Sequence, residues 1–385
     1  MRMTFVLGTR PEIIKLAPVI REGRARGHDV ELVHTAQHYD FNMSEQFFAE
    51  LDLRPPERFL EVGSGSQASQ LAKGVEACGP VLESQRPDCV CVVGDTNAGL
   101  TGALAGAKLL IPIVHFEAGV RSHDWRMPEE VNRRAIDSIS SVCFGPTLRA
   151  CQTLLAEGHG RRTWYVGDTL VESVVRLLPP PDGAPRAPYV LATIHRAENT
   201  DDPARLRSIM SGLGDSPIRV VFPVHPRTRS RLAALGISSG GSLELSEPVG
   251  YRAMLGLIAG ARAVVTDSGG VQQEAAILGS PCVTVRDNTE WVETLTVGAN
   301  SLVRPADVRA ELEGIIAGRR ASKWKSPFSP GASARSTDIL QDLHSSSSLG
   351  PCASDFIANG IPDPMSIGPS ESEWARRTQG ATSDA

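Results

Sequence analysis

Lysine is scarce in this chain, with five residues against 34 arginines in a total of 385. No lysine/arginine block of the kind that tracks a phosphate backbone occurs, and the formal charge of −5 argues against a nucleic-acid partner. Eighteen consecutive apolar residues are found nowhere, so a membrane partner is not expected. The start, Met1-Arg2-Met3-Thr4-Phe5-Val6-Leu7, is too short for the apolar core of a signal peptide, which makes the cytoplasm the expected location. Seven cysteines form no CxxC pair, which leaves neither a disulfide framework nor zinc-ligand spacing; Cys89, Cys91 and Cys282 sit in apolar runs and read as reduced core residues. HExxH, a Walker lysine loop and GxSxG are absent too, and no metal is expected.

What is present is enough apolar sequence, 41%, for two cores, and 385 residues exceed what one core usually serves. The first half alternates short apolar runs (residues 4–8, 30–35, 89–94 and 113–117) with helical patterns, one of them opening at Pro11. Strands separated by crossover helices imply a parallel sheet. The proline-rich stretch 177–188 reads as the internal boundary. After it come five more strand candidates, at 189–193, 219–224, 242–245, 263–267 and 282–285. The expectation is a first α/β domain over 1–176, a second over 177–344 whose last helix packs back on the first, and a disordered serine-rich tail over 345–385.

The run Thr266-Asp267-Ser268-Gly269-Gly270-Val271-Gln272-Gln273-Glu274 reads as a strand end, a phosphate cradle and a helix carrying a carboxylate. A helix start offers unpaired N–H groups and a positive dipole end to an anion. Glu274, one turn in, has the chemistry to accept ribose hydroxyls. The turn Gly8-Thr9-Arg10 after the first strand is a second candidate anion site, and Lys15 follows it. Polar clusters recur at the other strand ends: Gly94-Asp95-Thr96, His115-Phe116-Glu117, His195-Arg196-Ala197-Glu198-Asn199 and His225-Pro226. Taken singly, Asp95 could cap a helix, His115 could be a satisfied core histidine and His225 a turn residue. Together they fall where doubly wound sheets bind ligands. Gly63-Ser64-Gly65-Ser66-Gln67-Ala68 matches a dinucleotide fingerprint in form but does not open a βαβ unit.

Gly8-Thr9-Arg10-Pro11-Glu12, Thr35-Ala36-Gln37-His38, Gly94-Asp95-Thr96, His115-Phe116-Glu117-Ala118-Gly119-Val120-Arg121-Ser122, Met127-Pro128-Glu129-Glu130-Val131-Asn132-Arg133, His195-Arg196-Ala197-Glu198-Asn199 and Asp267-Ser268-Gly269-Gly270 resemble, in order and spacing, the non-hydrolysing UDP-N-acetylglucosamine 2-epimerase family. The resemblance spans roughly residues 1–340. It implies a GT-B fold of two facing Rossmann-like, doubly wound parallel-sheet domains, a UDP-sugar in the interdomain cleft, no redox cofactor and a homodimer. It also implies C2 epimerisation through elimination of UDP to a glycal and re-addition, supplying glycan precursors. Alternatives are a UDP-diacetamido-uronate substrate, a hydrolysing epimerase and a GT-B glycosyltransferase.

Matched residue by residue, the resemblance makes Asp95, Glu117 and Glu129 the acid/base carboxylates, with His195 beside the diphosphate or leaving oxygen. It puts Arg10, Lys15, Ser268, Gly269, Gly270 and Arg286 near phosphates, Glu274 on the ribose and Met254 near the uracil. Gln37, His38 and His225 match positions that help bind a second, activating UDP-sugar in bacterial relatives. This chain departs from the family pattern at Trp291, within Arg286-Asp287-Asn288-Thr289-Glu290-Trp291-Val292-Glu293, where relatives carry arginine, so weaker phosphate binding is expected there. Met254 replaces a commonly aromatic residue, and its polarisable sulfur still suits a flat base.

Overall fold

The computed structural model describes residues 1–35, 47–180, 187–319 and 323–350. The chain forms two compact units, Met1–Thr169 joined by the segment from Pro330 onward, and Leu170–Ser329. The first holds a sheet of seven strands: β1 (Arg2–Leu7), β2 (Asp29–His34), β3 (Arg58–Phe59), β4 (Cys89–Val93), β5 (Ile113–Phe116), β6 (Val142–Gly145) and β7 (Thr163–Tyr165). Their order is β3-β2-β1-β4-β5-β6-β7. The second holds β8 (Val190–Thr193), β9 (Val220–Pro223), β10 (Leu243–Ser246), β11 (Ala263–Thr266), β12 (Cys282–Thr284) and β13 (Asn300–Leu302), in the order β10-β9-β8-β11-β12-β13. The strand pairs are parallel in both sheets.

Every residue of β4, Cys89-Val90-Cys91-Val92-Val93, is buried, as expected for a strand covered by helices on both faces. The first core gathers Val6, Val33, Val90, Val92, Leu100 and Ile136; the second gathers Val190, Leu206, Ile209, Phe222, Val265 and Val283. Cys78, Cys89, Cys91, Cys143, Cys151 and Cys282 are buried free thiols. In each sheet the chain reverses its winding direction at one point, between β1 and β4 and between β8 and β11. A parallel sheet leaves a crevice beyond the carboxyl ends of those two strands, where the helices go to opposite faces.

Four strands escape the sequence reading: β3, β6, β7 and β13. They are two to four residues long and offer little period to detect. The units divide at Thr169/Leu170, whereas the proline-rich stretch suggests 176. That stretch interrupts the helical period, yet most of the helix before it, Thr169–Leu177, already belongs with the second unit. The helix Ala332–Ser345 packs on α1 (Arg10–Ala25) of the first unit, with Arg26 ion-paired to Asp338 and Arg335 donating to the Val166 carbonyl at 2.7 Å. The tail expected to be disordered lies, from 351 on, outside the described residues.

Candidate active site

The carboxyl ends of β1, β4 and β5 bring together one group of predicted residues. At the end of β1, the N–H groups of Gly8 and Thr9 are hydrogen-bonded within the protein. Glu12, three residues after the cap Thr9, is 3% exposed and reaches back. Its Oε2 accepts from Gly8 N (3.0 Å), Thr9 N (2.7 Å) and Thr9 Oγ1 (2.8 Å), and its Oε1 accepts from Thr96 Oγ1 (2.5 Å). This is a capping box, which pairs the N–H groups before and at the cap with the protein's own carboxylate. Burial raises the Glu12 pKa against these hydrogen bonds. Arg10 stays exposed, its guanidinium 5.7 Å from the centre of the Phe47 ring.

Lys15, expected among the phosphate donors, lies instead 2.5 Å from Glu117 Oε2. Burial works against its charge, but Glu117, Asp168 and Asp95 outweigh it and hold its pKa above the ordinary value. Burial also pushes the Glu117 carboxyl up, with Asp95 adding to the rise and Lys15 and Arg133 restraining it. A carboxyl moved toward neutral pH is suited both to take and to return a proton.

Asp95 is ion-paired to the buried Arg133, and its backbone carbonyl accepts from Asn132 Nδ2 at 2.9 Å. Asp95 and Glu129 line one cavity of about 300 Å³ together with the amides Gln67, Gln70, Asn97 and Asn132. Among the described residues the Glu129 carboxylate has no hydrogen bond or ion pair. Its neighbour Glu130 is the reverse: wholly buried, it accepts from Ser122 N (2.8 Å), Ser122 Oγ (3.0 Å), Arg133 (2.9 Å) and Arg134 (2.9 Å). Burial alone would raise its pKa, but these donors hold it below the usual range. Of two adjacent glutamates, one is consumed by structure and the other is available for chemistry.

The second group lies at the ends of β8 and β11. Asp267, fully buried, accepts from His195 N (3.1 Å), Arg196 N (3.0 Å) and Asn199 Nδ2 (3.1 Å), and so anchors the turn after β8 to β11. The His195 ring, 47% exposed, keeps Nδ1 3.3 Å from Asp267. Crowding on its covered side, aided by Arg196 and His225, lowers its pKa against the pull of Asp267.

Ser268 caps α2 (Gly269–Leu278) through Val271 N. The N–H groups of Gly269 and Gly270 find no protein acceptor among the described residues. A Cβ on Gly269 would come 2.3 Å from Glu290 Oε1. Glu290 is paired to the buried Arg286 at 2.8 Å, which places Arg286 beside this cradle with its charge already matched. Glu274 is 6% exposed and accepts from Tyr251 Oη at 2.9 Å. Met254 packs, half-buried, on the cluster of Tyr189, Leu191, Ile258 and Ala275. Trp291 is 2% exposed and stands edge-on to Phe328, so this departure from the family pattern is a core contact. His225 is exposed and caps the helix Pro226–Ala234 through Nδ1, at 3.3 Å from Arg227 N. Gln37 and His38 lie outside the described residues.

Several residues of the first rim escape the sequence reading as site residues: Gln67, Gln70, Asn97 and Arg133. The available signal was spacing, since Arg133 stands four residues after Glu129 and shares its helix face.

Two parallel Rossmann-like sheets with polar clusters at both switch points define a GT-B-type sugar-nucleotide enzyme fold. Residues 21–341 match the family model described as UDP-N-acetylglucosamine 2-epimerase. A Methanocaldococcus jannaschii protein named UDP-N-acetylglucosamine 2-epimerase is 41% identical over 86% of this chain and 96% of its own. A crystal structure of a Methanocaldococcus jannaschii UDP-GlcNAc 2-epimerase in complex with UDP-GlcNAc and UDP superposes with a TM-score of 0.82 at 40% identity, covering 89% of this chain and 100% of that one. A Pseudomonas aeruginosa protein named UDP-2,3-diacetamido-2,3-dideoxy-D-glucuronate 2-epimerase is 42% identical over 80% of this chain and 89% of its own. The chain belongs to the UDP-N-acetylglucosamine 2-epimerase family, and it is an epimerase of that family.

Proposed function

We propose that this protein interconverts UDP-N-acetylglucosamine and UDP-N-acetylmannosamine without hydrolysing them. The observation that carries this is the convergence of Asp95, Glu117 and Glu129 with the cations Lys15 and Arg133 at the ends of β1, β4 and β5. The C2 proton of a 2-acetamido sugar is not acidified by an adjacent carbonyl, so direct deprotonation faces a very high barrier. Elimination avoids it. A carboxylate takes the C2 proton, the C2–H electron pair forms the C1=C2 bond of a glycal, and the C1–O pair leaves with UDP. Re-addition of UDP with protonation from the other face gives the epimer.

Asp95, Glu117 and Glu129 carry the proton transfers. Lys15, held among three carboxylates, tunes Glu117, and Arg10 is an exposed cation available to phosphate. The open N–H groups of Gly269 and Gly270, with Ser268, bind the diphosphate. His195 stands by the leaving oxygen, Glu274 takes the ribose and Met254 the uracil. Arg286 is available to phosphate if Glu290 releases it.

The test is incubation with UDP-N-acetylglucosamine in D2O followed by NMR. Deuterium at C2 with UDP still attached supports the reading; release of free sugar instead would show hydrolysis, and no exchange would remove this substrate. The 42% identity to a diacetamido-glucuronate epimerase favours one second reading, that uronate as substrate, and the same assay on it decides between the two.

A further inference from the structure

The helix Pro128–Ile139 presents Glu129, Arg133 and Asp137 at spacings of four, hence on one face. Glu129 lines the cavity shared with Asp95, and Arg133 is paired to Asp95. Asp137, wholly buried, faces His115 on β5, with 2.6 Å between Asp137 Oδ1 and His115 Nδ1. The other ring nitrogen, Nε2, is 2.8 Å from the carbonyl oxygen of Gly94, the residue before Asp95. A carbonyl oxygen only accepts, so Nε2 donates. Burial alone would raise the Asp137 pKa, but His115 and Arg121 hold it below the usual range.

The second oxygen of Asp137 accepts from Gly119 N at 3.1 Å and from Arg121 at 2.6 Å. One carboxylate therefore grips two turns: the peptide before Asp95 through His115, and the turn after Glu117 directly. Both turns hold left-handed backbone, Gly94 at φ +68° and Glu117 at φ +63°. A glutamate in that region is strained, and such a conformation persists only where its surroundings impose it. Buried ionic clusters add little net stability over apolar packing.

We propose that His115 and Asp137 are positioning residues for proton transfer, fixing the Gly94–Asp95 peptide relative to Glu117. The inference rests on the epimerase reading above, and neither residue touches the reacting sugar.

Two substitutions at His115 separate its two bonds. In His115→Asn the amide nitrogen falls near Nδ1, keeping Asp137 and releasing Gly94; in His115→Gln it falls near Nε2, keeping Gly94 and releasing Asp137. In the D2O exchange assay, His115→Asn should lower kcat about 100-fold, the scale of a 1 Å misplacement. His115→Gln should lower kcat only about tenfold, on the same scale. KM and the Kd for UDP should stay within about threefold in both, because the Gly269 cradle is untouched. Equal losses in the two variants, or a kcat loss that merely follows the folded fraction in a thermal melt, overturn the proposal.

Should His115→Asn fail to fold, Gly94→Ala strains the same peptide from the other side. There is room for its methyl, the nearest atom being Glu117 Oε1 at 3.8 Å. A kcat unchanged by Gly94→Ala also overturns the proposal. Wild-type enzyme inert toward UDP-N-acetylglucosamine counts against the substrate, and the variants are then compared on the diacetamido-glucuronate; inertness toward both overturns both readings.

Discussion

The turns after β1 and β11 look alike on paper and act differently in the fold. Each leaves a buried strand, carries a hydroxyl cap (Thr9 or Ser268) and enters a helix. Three residues beyond the cap they part: Glu12 in one, Val271 in the other. Glu12 accepts four hydrogen bonds, two of them from the N–H groups of Gly8 and Thr9; at the second turn the cap N–H of Ser268 goes to Thr266 Oγ1, and the N–H groups of Gly269 and Gly270 stay open among the described residues. A helix start is an anion site only when its own sequence does not already fill it. The first turn is a latch that braces Thr96 next to Asp95, and the second is a cradle.

The contrast is most sharply tested at the chemistry beside the latch. Asp95→Asn should lower C2 exchange by about 10²–10⁴-fold while UDP affinity stays near wild type. Exchange surviving at wild-type rate would remove Asp95 from the catalytic set.

At the cradle, Gly269→Val places a side chain against Glu290 and over the open N–H groups. UDP affinity measured by calorimetry should fall about tenfold to 100-fold, the loss of one or two charge-assisted hydrogen bonds. Glu290 must shift away from the buried Arg286, so the melting temperature should fall as well, and affinity is compared on the folded fraction. Unaltered affinity would mean that the diphosphate binds elsewhere.

At the latch the expected effect is on stability. Glu12→Ala strips acceptors from Gly8 N, Thr9 N and Thr96 Oγ1 and should cost about 2–4 kcal/mol in urea unfolding. UDP affinity should be retained, and a loss of affinity without a loss of stability would reverse the roles of the two turns.

The smallest effect concerns Glu130. Its folded pKa lies below the ordinary glutamate value of 4.5. Its contribution is therefore fully present above that value and is lost as pH falls through the lower folded value. Glu130→Gln should flatten the acid limb of the stability curve and leave the neutral-to-alkaline limb unchanged in shape. An acid limb as steep as wild type would show that other groups set it.

Much of this was legible in the residues. Apolar runs ending in Gly94-Asp95, His115-Phe116-Glu117 and Asp267-Ser268-Gly269 marked strand ends, because turn chemistry and the burial of parallel strands are local properties. The latch was legible too, as the spacing Thr9-x-x-Glu12, although the glycine before it draws the eye to anion binding. The short strands β3 and β13 were not, since Arg-Phe and Asn-Ser-Leu carry no period and pair only because neighbouring strands offer free edges.

Residue order by itself determined the two α/β halves, the family and the pool of polar residues at strand ends, because each follows from patterns spanning a few residues. Only the tertiary structure decided between Glu129 and Glu130, turned Lys15 from phosphate toward Glu117, and joined His115 to Gly94 and Asp137. Glu130 is claimed by donors three to eight residues away, and the other two outcomes depend on which partners reach a buried charge across 21 to 102 residues of sequence, from His115 to Gly94 and from Lys15 to Glu117. In a low-dielectric interior, the partner within 3 Å outweighs any local preference.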